Sequence, residues 1–140
     1  MYEKMNKDMK EIRLAAKFIK IDTEPVYIDE ESEPDNNQYF WAYHITILNQ
    51  GNKKVTLRHR HWTITDSNGM ENKINGKGVI GKQPDLNPGE SFSYTSGAML
   101  NAPSGIMKGA YDLETPDGKI ITVDIPAFSL DSPHELRILS

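Results

Sequence analysis

The most constraining feature of this sequence is the recurrence of large apolar side chains at every second position between residues 39 and 47. Apolar residues occupy every second position from Tyr39 to Ile47, with His44 and Thr46 between them. Successive side chains of a strand point to opposite faces, whereas a helix repeats every 3.6 residues. The segment therefore predicts a β-strand with one buried face.

Shorter segments of the same kind follow, separated by turn sequences such as Asn87-Pro88-Gly89 and Pro116-Asp117-Gly118. Seven or eight short strands with frequent turns predict an all-β fold, an antiparallel β-sandwich or barrel. A sandwich suits Trp62, whose position within a strand allows it to fill a core. Besides the segment at 39–49, strands are predicted at 19–28, 54–65, 79–80, 90–95, 106–114 and 119–126.

The first residues have a different pattern. Met5, Met9, Ile12 and Ala16 follow a helical spacing, which predicts a short amphipathic helix over residues 2–18. Such a segment, helical or disordered when isolated, forms an extension at residues 1–19. A chain of 140 residues favours one domain, which we place at residues 20–140.

Charge and composition exclude several classes of function. The chain has 16 Lys and Arg against 20 Asp and Glu, and its acidic body argues against binding to nucleic acid. No cysteine is present, which excludes disulfides and thiolate chemistry. No stretch approaches the ~20 apolar residues of a membrane span, and charges interrupt any secretory signal. A cytoplasmic location is expected.

The segment 54–65 holds the most concentrated chemistry. Its apolar side chains occupy odd positions first and even positions later, so we predict a β-bulge within Arg58-His59-Arg60-His61. In a regular strand His59 and His61 would lie ~6.5–7 Å apart on one face, a spacing that suits Zn²⁺, Co²⁺ or Ni²⁺. The bulge is expected to disturb that alignment, and no motif supplies a third ligand.

The same segment offers two other readings. Arg58 and Arg60 are candidate bidentate donors to a bound anion. Alternatively, the four side chains form a solvated strand face, with His61 half buried beside Trp62.

A second candidate site is the glycine segment Gly76-Lys77-Gly78-Val79-Ile80-Gly81. It matches the pattern G-x-G-x-x-G, but the sequence around it favours neither the preceding strand nor the following helix of a dinucleotide site. Two interpretations remain. Backbone N–H groups of Gly76, Gly78 and Gly81, with Lys77, could hold a nucleotide or pyrophosphate. Alternatively, the glycines serve a turn or bulge of the sandwich.

Candidate surfaces for other partners lie elsewhere. The acidic loop at residues 29–35 could attract a hard cation such as Mg²⁺, although it lacks the spacing of an EF-hand. Tyr94, Met99 and Leu100 are candidates for a protein-interaction surface, since Met and Tyr are enriched at interfaces, with core packing as the alternative. An exposed edge strand could pair with a partner or with a second copy. No catalytic motif is recognisable.

Six motifs together resemble the bacterial ApaG family. They lie at residues 40–47, 60–66, 76–84, 86–97, 105–111 and 125–130, in the order typical of that family. The resemblance implies a fibronectin type III-like, immunoglobulin-like β-sandwich. It also implies an association with cobalt and magnesium tolerance, a role in protein interaction, and no established reaction.

We therefore expect a non-catalytic accessory or interaction module. The alternative is a receptor for a nucleotide or pyrophosphate, with Mg²⁺ or Co²⁺ as a candidate cation.

Overall fold

The computed structural model describes residues 2–135. It contains one helix, two short 3-10 turns at Asp29–Glu31 and Pro34–Asn36, and eight strands within that range. The helix and strands are α1 (Tyr2–Lys17), β1 (Ile19–Tyr27), β2 (Tyr39–Asn49), β3 (Val55–Asp66), β4 (Glu71–Lys77), β5 (Asp85–Leu86), β6 (Ser91–Leu100), β7 (Gly105–Glu114) and β8 (Ile120–Leu130).

The strands form two antiparallel sheets that pack face to face. One sheet has the order β1-β2-β6, and the other has the order β4-β3-β7-β8, with the short strand β5 paired to the start of β3. The core lies between the sheets. This arrangement confirms the predicted immunoglobulin-like, fibronectin type III-like β-sandwich.

Strand β2 shows how the alternating sequence builds the core. Every second residue from Tyr39 to Asn49 is buried, and Ile45 and Ile47 are fully covered. They share the core with Leu57 and Leu113 of the opposite sheet. Burial of each such side chain contributes about 1.5–3 kcal/mol, so the pattern both locates the strand and fixes its inward face.

Two strands, β4 and the two-residue β5, were not predicted, and one prediction was wrong. Strand β4 pairs with β3, yet none of its residues is buried, so it has no apolar alternation to reveal it. The strand predicted at Val79–Ile80 does not exist. Val79 forms only an isolated bridge with Lys82, and Ile80 has φ 45°, which no regular strand permits.

The two long sides of the sandwich differ. On one side β1 contacts β8, which brings the two sheets together. On the other side β4 and β6 are the outermost strands of their sheets, and residues of both line an open cleft.

The predicted N-terminal helix is present as α1, which docks through one face. Ile12, Ala15 and Ala16 pack against the core, and the Lys119 ammonium lies 3.2 Å from the Asp8 carboxylate. The hydrogen bond to Asp8 raises the pKa of Lys119. Across residues 2–135, no helix combines the length and apolar character needed to cross a bilayer.

Candidate functional site

The predicted bulge in β3 is present at the start of the expected stretch. The pairing of β3 with β7 shifts between Leu57 and His59, leaving Arg58 as the extra residue. Even-numbered residues beyond it share a face with the buried Trp62 and Ile64, so Arg60 belongs to the inner face and His61 to the outer one.

The expectation that the bulge disturbs the two histidines is wrong, because the bulge precedes both. The rings of His59 and His61 lie on one face with centroids 6.5 Å apart and planes inclined by 28°. The strand between them is regular, so the spacing is that of an ordinary β-strand.

His61 is the centre of a polar network on the outer face. Its Nδ1 lies 2.6 Å from the Asn75 Oδ1 of β4, and its Nε2 lies 2.8 Å from the Asp112 Oδ2 of β7. The Thr122 hydroxyl donates to the other Asp112 oxygen at 2.9 Å. Both ring nitrogens face acceptors, which only the imidazolium satisfies with two donors. The network therefore joins β4, β3, β7 and β8 across the sheet.

The same contacts change two pKa values. The hydrogen bond to Asp112 raises the pKa of His61 above its ordinary value of 6.5, with a smaller contribution from Asn75. Partial burial of Asp112 acts to raise its pKa, but the hydrogen bonds from His61 and Thr122 outweigh burial and lower it. Each partner thus favours the charged form of the other.

The structure brings Asp112 close to both histidines, which the sequence did not predict. Its Oδ2 lies 4.0 Å from the Nδ1 of His59, which is its partner in the β3–β7 pairing. Nevertheless, within residues 2–135 no group of three or more His, Asp or Glu side chains is arranged to hold a metal ion. A metal at His59 and His61 remains an untested prediction.

The two candidate arginines have different contacts. Arg58 donates to the Gln83 Oε1 at 2.8 Å and lies 3.5 Å from the Glu114 carboxylate. Arg60 instead donates from Nη1 to the carbonyl oxygens of Lys77 and Gly78, at 3.0 and 2.8 Å. Of the two side chains, Arg60 is therefore the one bound to the glycine segment.

The glycines of that segment have identifiable packing roles. A Cβ at Gly76 would lie 2.8 Å from the Arg60 guanidinium carbon, so Gly76 leaves room for this side chain. Gly78 has φ +59°, and a Cβ there would lie 2.1 Å from the carbonyl oxygen of Lys82. Gly78 therefore requires glycine whether or not a ligand binds, whereas a larger residue at position 76 would displace the Arg60 guanidinium.

The loop also uses several of its own amides. Gly78 N–H donates to Arg58 O at 2.8 Å, and Val79 and Lys82 exchange backbone hydrogen bonds of 2.8 and 2.9 Å. Because these N–H groups already donate to backbone carbonyls, they are not free to donate hydrogen bonds to phosphate oxygens. A phosphate site involving Gly76, Lys77, Gly78 and Gly81 remains an untested prediction.

Inside the sandwich, Arg60 lies near a pair of tyrosines. Tyr111 is its cross-strand partner, and the Tyr111 hydroxyl is hydrogen-bonded to that of Tyr94 from the opposite sheet. Burial raises the pKa of Tyr94 to about 12 and raises that of Tyr111 further, while the Arg60 charge acts in the opposite direction. Both hydroxyls remain protonated at neutral pH.

The cleft between β4 and β6, which we term the seam, has a volume of about 310 Å³. It is lined by residues of β2, β3, β4, β6 and β7, namely Tyr43, Arg60, Trp62, Ile64, Asn72, Ile74, Ser96, Gly97, Ala98, Met99, Leu100 and Met107. Of the three residues predicted as an interaction surface, Tyr94 and Leu100 are buried and Met99 is 50% exposed. Of the three, Met99 alone is exposed.

Strand β6 forms one edge of the seam and differs in composition from the other edge strands. It pairs with β2 without interruption over ten residues and contains neither a charged residue nor proline. Charged residues and proline on an edge strand oppose pairing with another chain. The other edge strands carry several such residues: Lys20, Asp22, Glu24 and Pro25 in β1, Glu71, Lys73 and Lys77 in β4, and Asp124 and Pro126 in β8.

The hydrogen-bonding direction of β6 follows from its neighbour. Ile28 N–H donates to Phe40 O at 2.9 Å, so even-numbered residues of β2 direct their backbone groups toward β1. Because these directions alternate along a strand, odd-numbered residues of β2 bond to β6, where Trp41 opposes Ala98. The odd-numbered residues of β6, from Ser91 to Met99, therefore direct N–H and C=O groups to the free edge.

The larger cavity lies at the other end of the molecule. It has a volume of about 480 Å³ between α1 and the turn that joins β2 to β3, and Ile12, Phe18 and Val55 line it. None of the residues that the sequence analysis proposed as a site contributes to it.

Sequence comparisons connect this arrangement to known proteins. The family model described as the ApaG domain matches residues 29–115, more than half of the chain. Protein ApaG of Parvibaculum lavamentivorans is 56% identical over 121 residues, which cover 86% of this chain and 93% of that protein. Protein ApaG of Allorhizobium ampelinum is 48% identical over 128 residues, 91% of this chain and 98% of that protein.

A solved structure gives the same result. The crystal structure of a protein described as ApaA from Bordetella pertussis superimposes with a TM-score of 0.80 at 38% identity. The match covers 84% of this chain and 95% of that one. Family model, relatives and fold agree: this chain belongs to the ApaG family.

Proposed function

We propose that this chain is a non-catalytic interaction module that binds an extended segment of a partner protein by strand addition along β6. The observation that carries the proposal is the free edge of β6, which is ten residues long, regularly paired on its other side and uncharged. An unprotected edge is a template for a further strand.

The backbone groups of the edge supply the binding energy. Ser93, Thr95, Gly97 and Met99 direct N–H and C=O groups outward, and each hydrogen bond made there contributes a net ~0.5–1.5 kcal/mol. The inner face of β6 is held in the core by Tyr94, Ala98 and Leu100, which are all buried. The edge is therefore preformed, which lowers the entropy lost on binding.

The titratable side chains of the outer face support a structural role. Both nitrogens of His61 are engaged by Asn75 and Asp112, and the Asp112 carboxylate is shared with Thr122. The His61 imidazole therefore has no free nitrogen for proton transfer to a substrate, and its two hydrogen bonds stabilise the sheet. For the same reason, a nucleotide receptor built on the loop amides is not part of the proposal.

The proposal includes three further expectations. Residues 20–140 form the interacting domain, and residues 1–19 are an extension. The protein acts in the cytoplasm. The family's association with cobalt and magnesium tolerance is then an indirect effect, exerted through the bound partner.

The experiment uses Ser93→Pro, with Ser93→Ala as its matched control. Both variants lose the exposed hydrogen bond between the hydroxyls of Ser93 and Thr46. Only proline also removes the outward N–H and places a ring on the edge. Partners are first identified by a photo-crosslinking amino acid at position 93 in the native cell, with position 73 of β4 as the control site.

Affinity for the identified partner is then measured by calorimetry. We expect Ser93→Pro to weaken binding about tenfold or more, corresponding to about 1.4 kcal/mol, and Ser93→Ala to weaken it less than twofold. Thermal melts verify that both variants are folded. Equal affinity of the two variants, or crosslinks only from position 73, would refute strand addition at β6.

A further inference from the structure

We infer that the segment added to β6 carries an aspartate or glutamate whose carboxylate pairs with Arg60 inside the seam, beside an apolar side chain that fills the cleft. The inference rests on the proposed function, because it specifies the chemistry of the partner at the same edge.

Arg60 has a positive charge on the inner face of a sandwich, where charged groups need partners. The bulge at Arg58 places it there, on the same face as Trp62 and Ile64. Its hydrogen bonds go to two backbone carbonyls, of Lys77 and Gly78. Among residues 2–135, no Asp or Glu side chain forms an ion pair with it, so its charge lacks a counter-ion in that part of the chain.

The remaining donors of Arg60 have the geometry that a carboxylate requires. Both known hydrogen bonds use Nη1. This leaves the Nε and Nη2 edge, a planar pair of donors that matches the two oxygens of a carboxylate. The absence of a side chain at Gly76 leaves room for the guanidinium. Arg60 also lines the seam, where a group from outside can reach it.

The rest of the seam combines apolar side chains with the polar Asn72 and Ser96, and it is incompletely covered. Trp62 and Tyr43 are buried at its inner side, whereas Ile74 and Met99 are 43% and 50% exposed at its rims. A volume of about 310 Å³ lies at the lower limit of small-molecule pockets, which span ~300–1,000 Å³. Large side chains of an added strand fit this space, and they would cover both rim residues.

The arrangement therefore combines three features within one strand length. The free β6 edge fixes the backbone of the partner, the apolar rims receive one side chain, and Arg60 selects an acidic neighbour. Electrostatic complementarity of this kind determines which segment binds, as well as how tightly.

The test uses phage-displayed random decapeptides selected against the full-length protein. Selections run in parallel on the wild type, Arg60→Gln, Ser93→Pro and Arg58→Gln. Arg58→Gln is the matched control, because it removes an arginine two residues away that contacts Gln83 and Glu114 instead of the seam. Thermal melts verify that each variant is folded.

On the wild type we expect enrichment of peptides that combine Asp or Glu with a large apolar residue. In the best synthetic peptide, replacing the acid with its amide should weaken binding about tenfold to the wild type and to Arg58→Gln. The same replacement should have less than a twofold effect on Arg60→Gln. This double-mutant cycle isolates the ion pair from any loss of stability.

Failure of this inference differs from failure of the proposed function. Selected peptides that lack acidic residues but lose affinity on Ser93→Pro would overturn the Arg60 inference and leave strand addition intact. Peptides that bind Ser93→Pro and the wild type equally would count against both. An equal effect of the acid-to-amide change on wild type and Arg60→Gln would show general charge attraction, and would overturn the pairing even if Arg60→Gln were destabilised.

Discussion

Strands β4 and β6 border the same cleft, but they are edge strands of opposite kinds. Strand β6 has three buried residues on its inner face and no charge along ten residues. Strand β4 has seven residues, none of them buried, and includes Glu71, Lys73 and Lys77. One edge is firmly attached to the core but open to a new strand, whereas the other is loosely attached and protected by charge.

The difference shows that packing and protection are separate properties of an edge. The inner face of a strand determines how much stability it contributes, and its outer composition determines whether another chain can pair with it. In β4, attachment depends on polar contacts, through Asn75 to His61 and through the carbonyl of Lys77 to Arg60. In β6 it depends on burial.

The largest expected effect comes from truncating the buried face of β6. Leu100→Ala removes a side chain that is only 4% exposed, and we expect the free energy of unfolding to fall by about 2–5 kcal/mol. Ile74→Ala, the matched change in β4, should cost less than about 1 kcal/mol, because much of that side chain is already exposed. Urea denaturation measures both. Equal losses would show that β4 is as well packed as β6.

A smaller loss is expected when the tyrosine pair is broken. Tyr111→Phe leaves the buried Tyr94 hydroxyl without its partner, which should reduce the free energy of unfolding by about 1–3 kcal/mol. Removing both hydroxyls, in Tyr94→Phe with Tyr111→Phe, should cost less than the single change, because no polar group is then left unpaired. A double variant that loses as much stability as the two single variants added together would contradict the pairing of these hydroxyls between β6 and β7.

The smallest effect concerns the polar attachment of β4 and depends on pH. The pKa of His61 is raised above 6.5, so its contribution to stability is complete below that pH and is lost as the pH rises through the folded-state pKa. His61→Gln should therefore be less stable than the wild type at pH 6, by under about 1 kcal/mol for such an exposed group.

The difference in stability between His61→Gln and the wild type should be smaller at pH 9 than at pH 6. Denaturation at both pH values measures it. Asp112→Asn serves as the control, because it removes the acceptor that raises the pKa. A His61→Gln difference that is constant with pH, or an unchanged pH dependence in Asp112→Asn, would contradict the network.

The sequence predicted those parts of the molecule whose side chains have a regular pattern. The alternation in β2 predicted the strand and its buried face. The change from odd to even positions in β3 predicted a bulge within residues 58–61, which the structure places at Arg58. Both features follow from which side chains within a single strand are buried. Strand β4 was missed for the same reason, since it buries nothing and so leaves no pattern.

The site was less predictable because it depends on which strands become neighbours. Asp112 lies beside His59 only through the pairing of β3 with β7, which are distant in sequence. The seam exists because β4 and β6 end their sheets on the same side of the sandwich. Neither relationship follows from residue spacing within one segment, and the glycine motif gave no indication that Gly76 accommodates Arg60.

The extra residue at Arg58 sets the parity of everything that follows in β3. Deleting Arg58 would leave a regular strand that still directs Trp62 inward. By contrast, pairing all the existing residues without the bulge would direct Trp62 to solvent and move the imidazoles into the apolar interior. The bulge is therefore what allows Leu57 and Trp62, an odd and an even position, to face the same core.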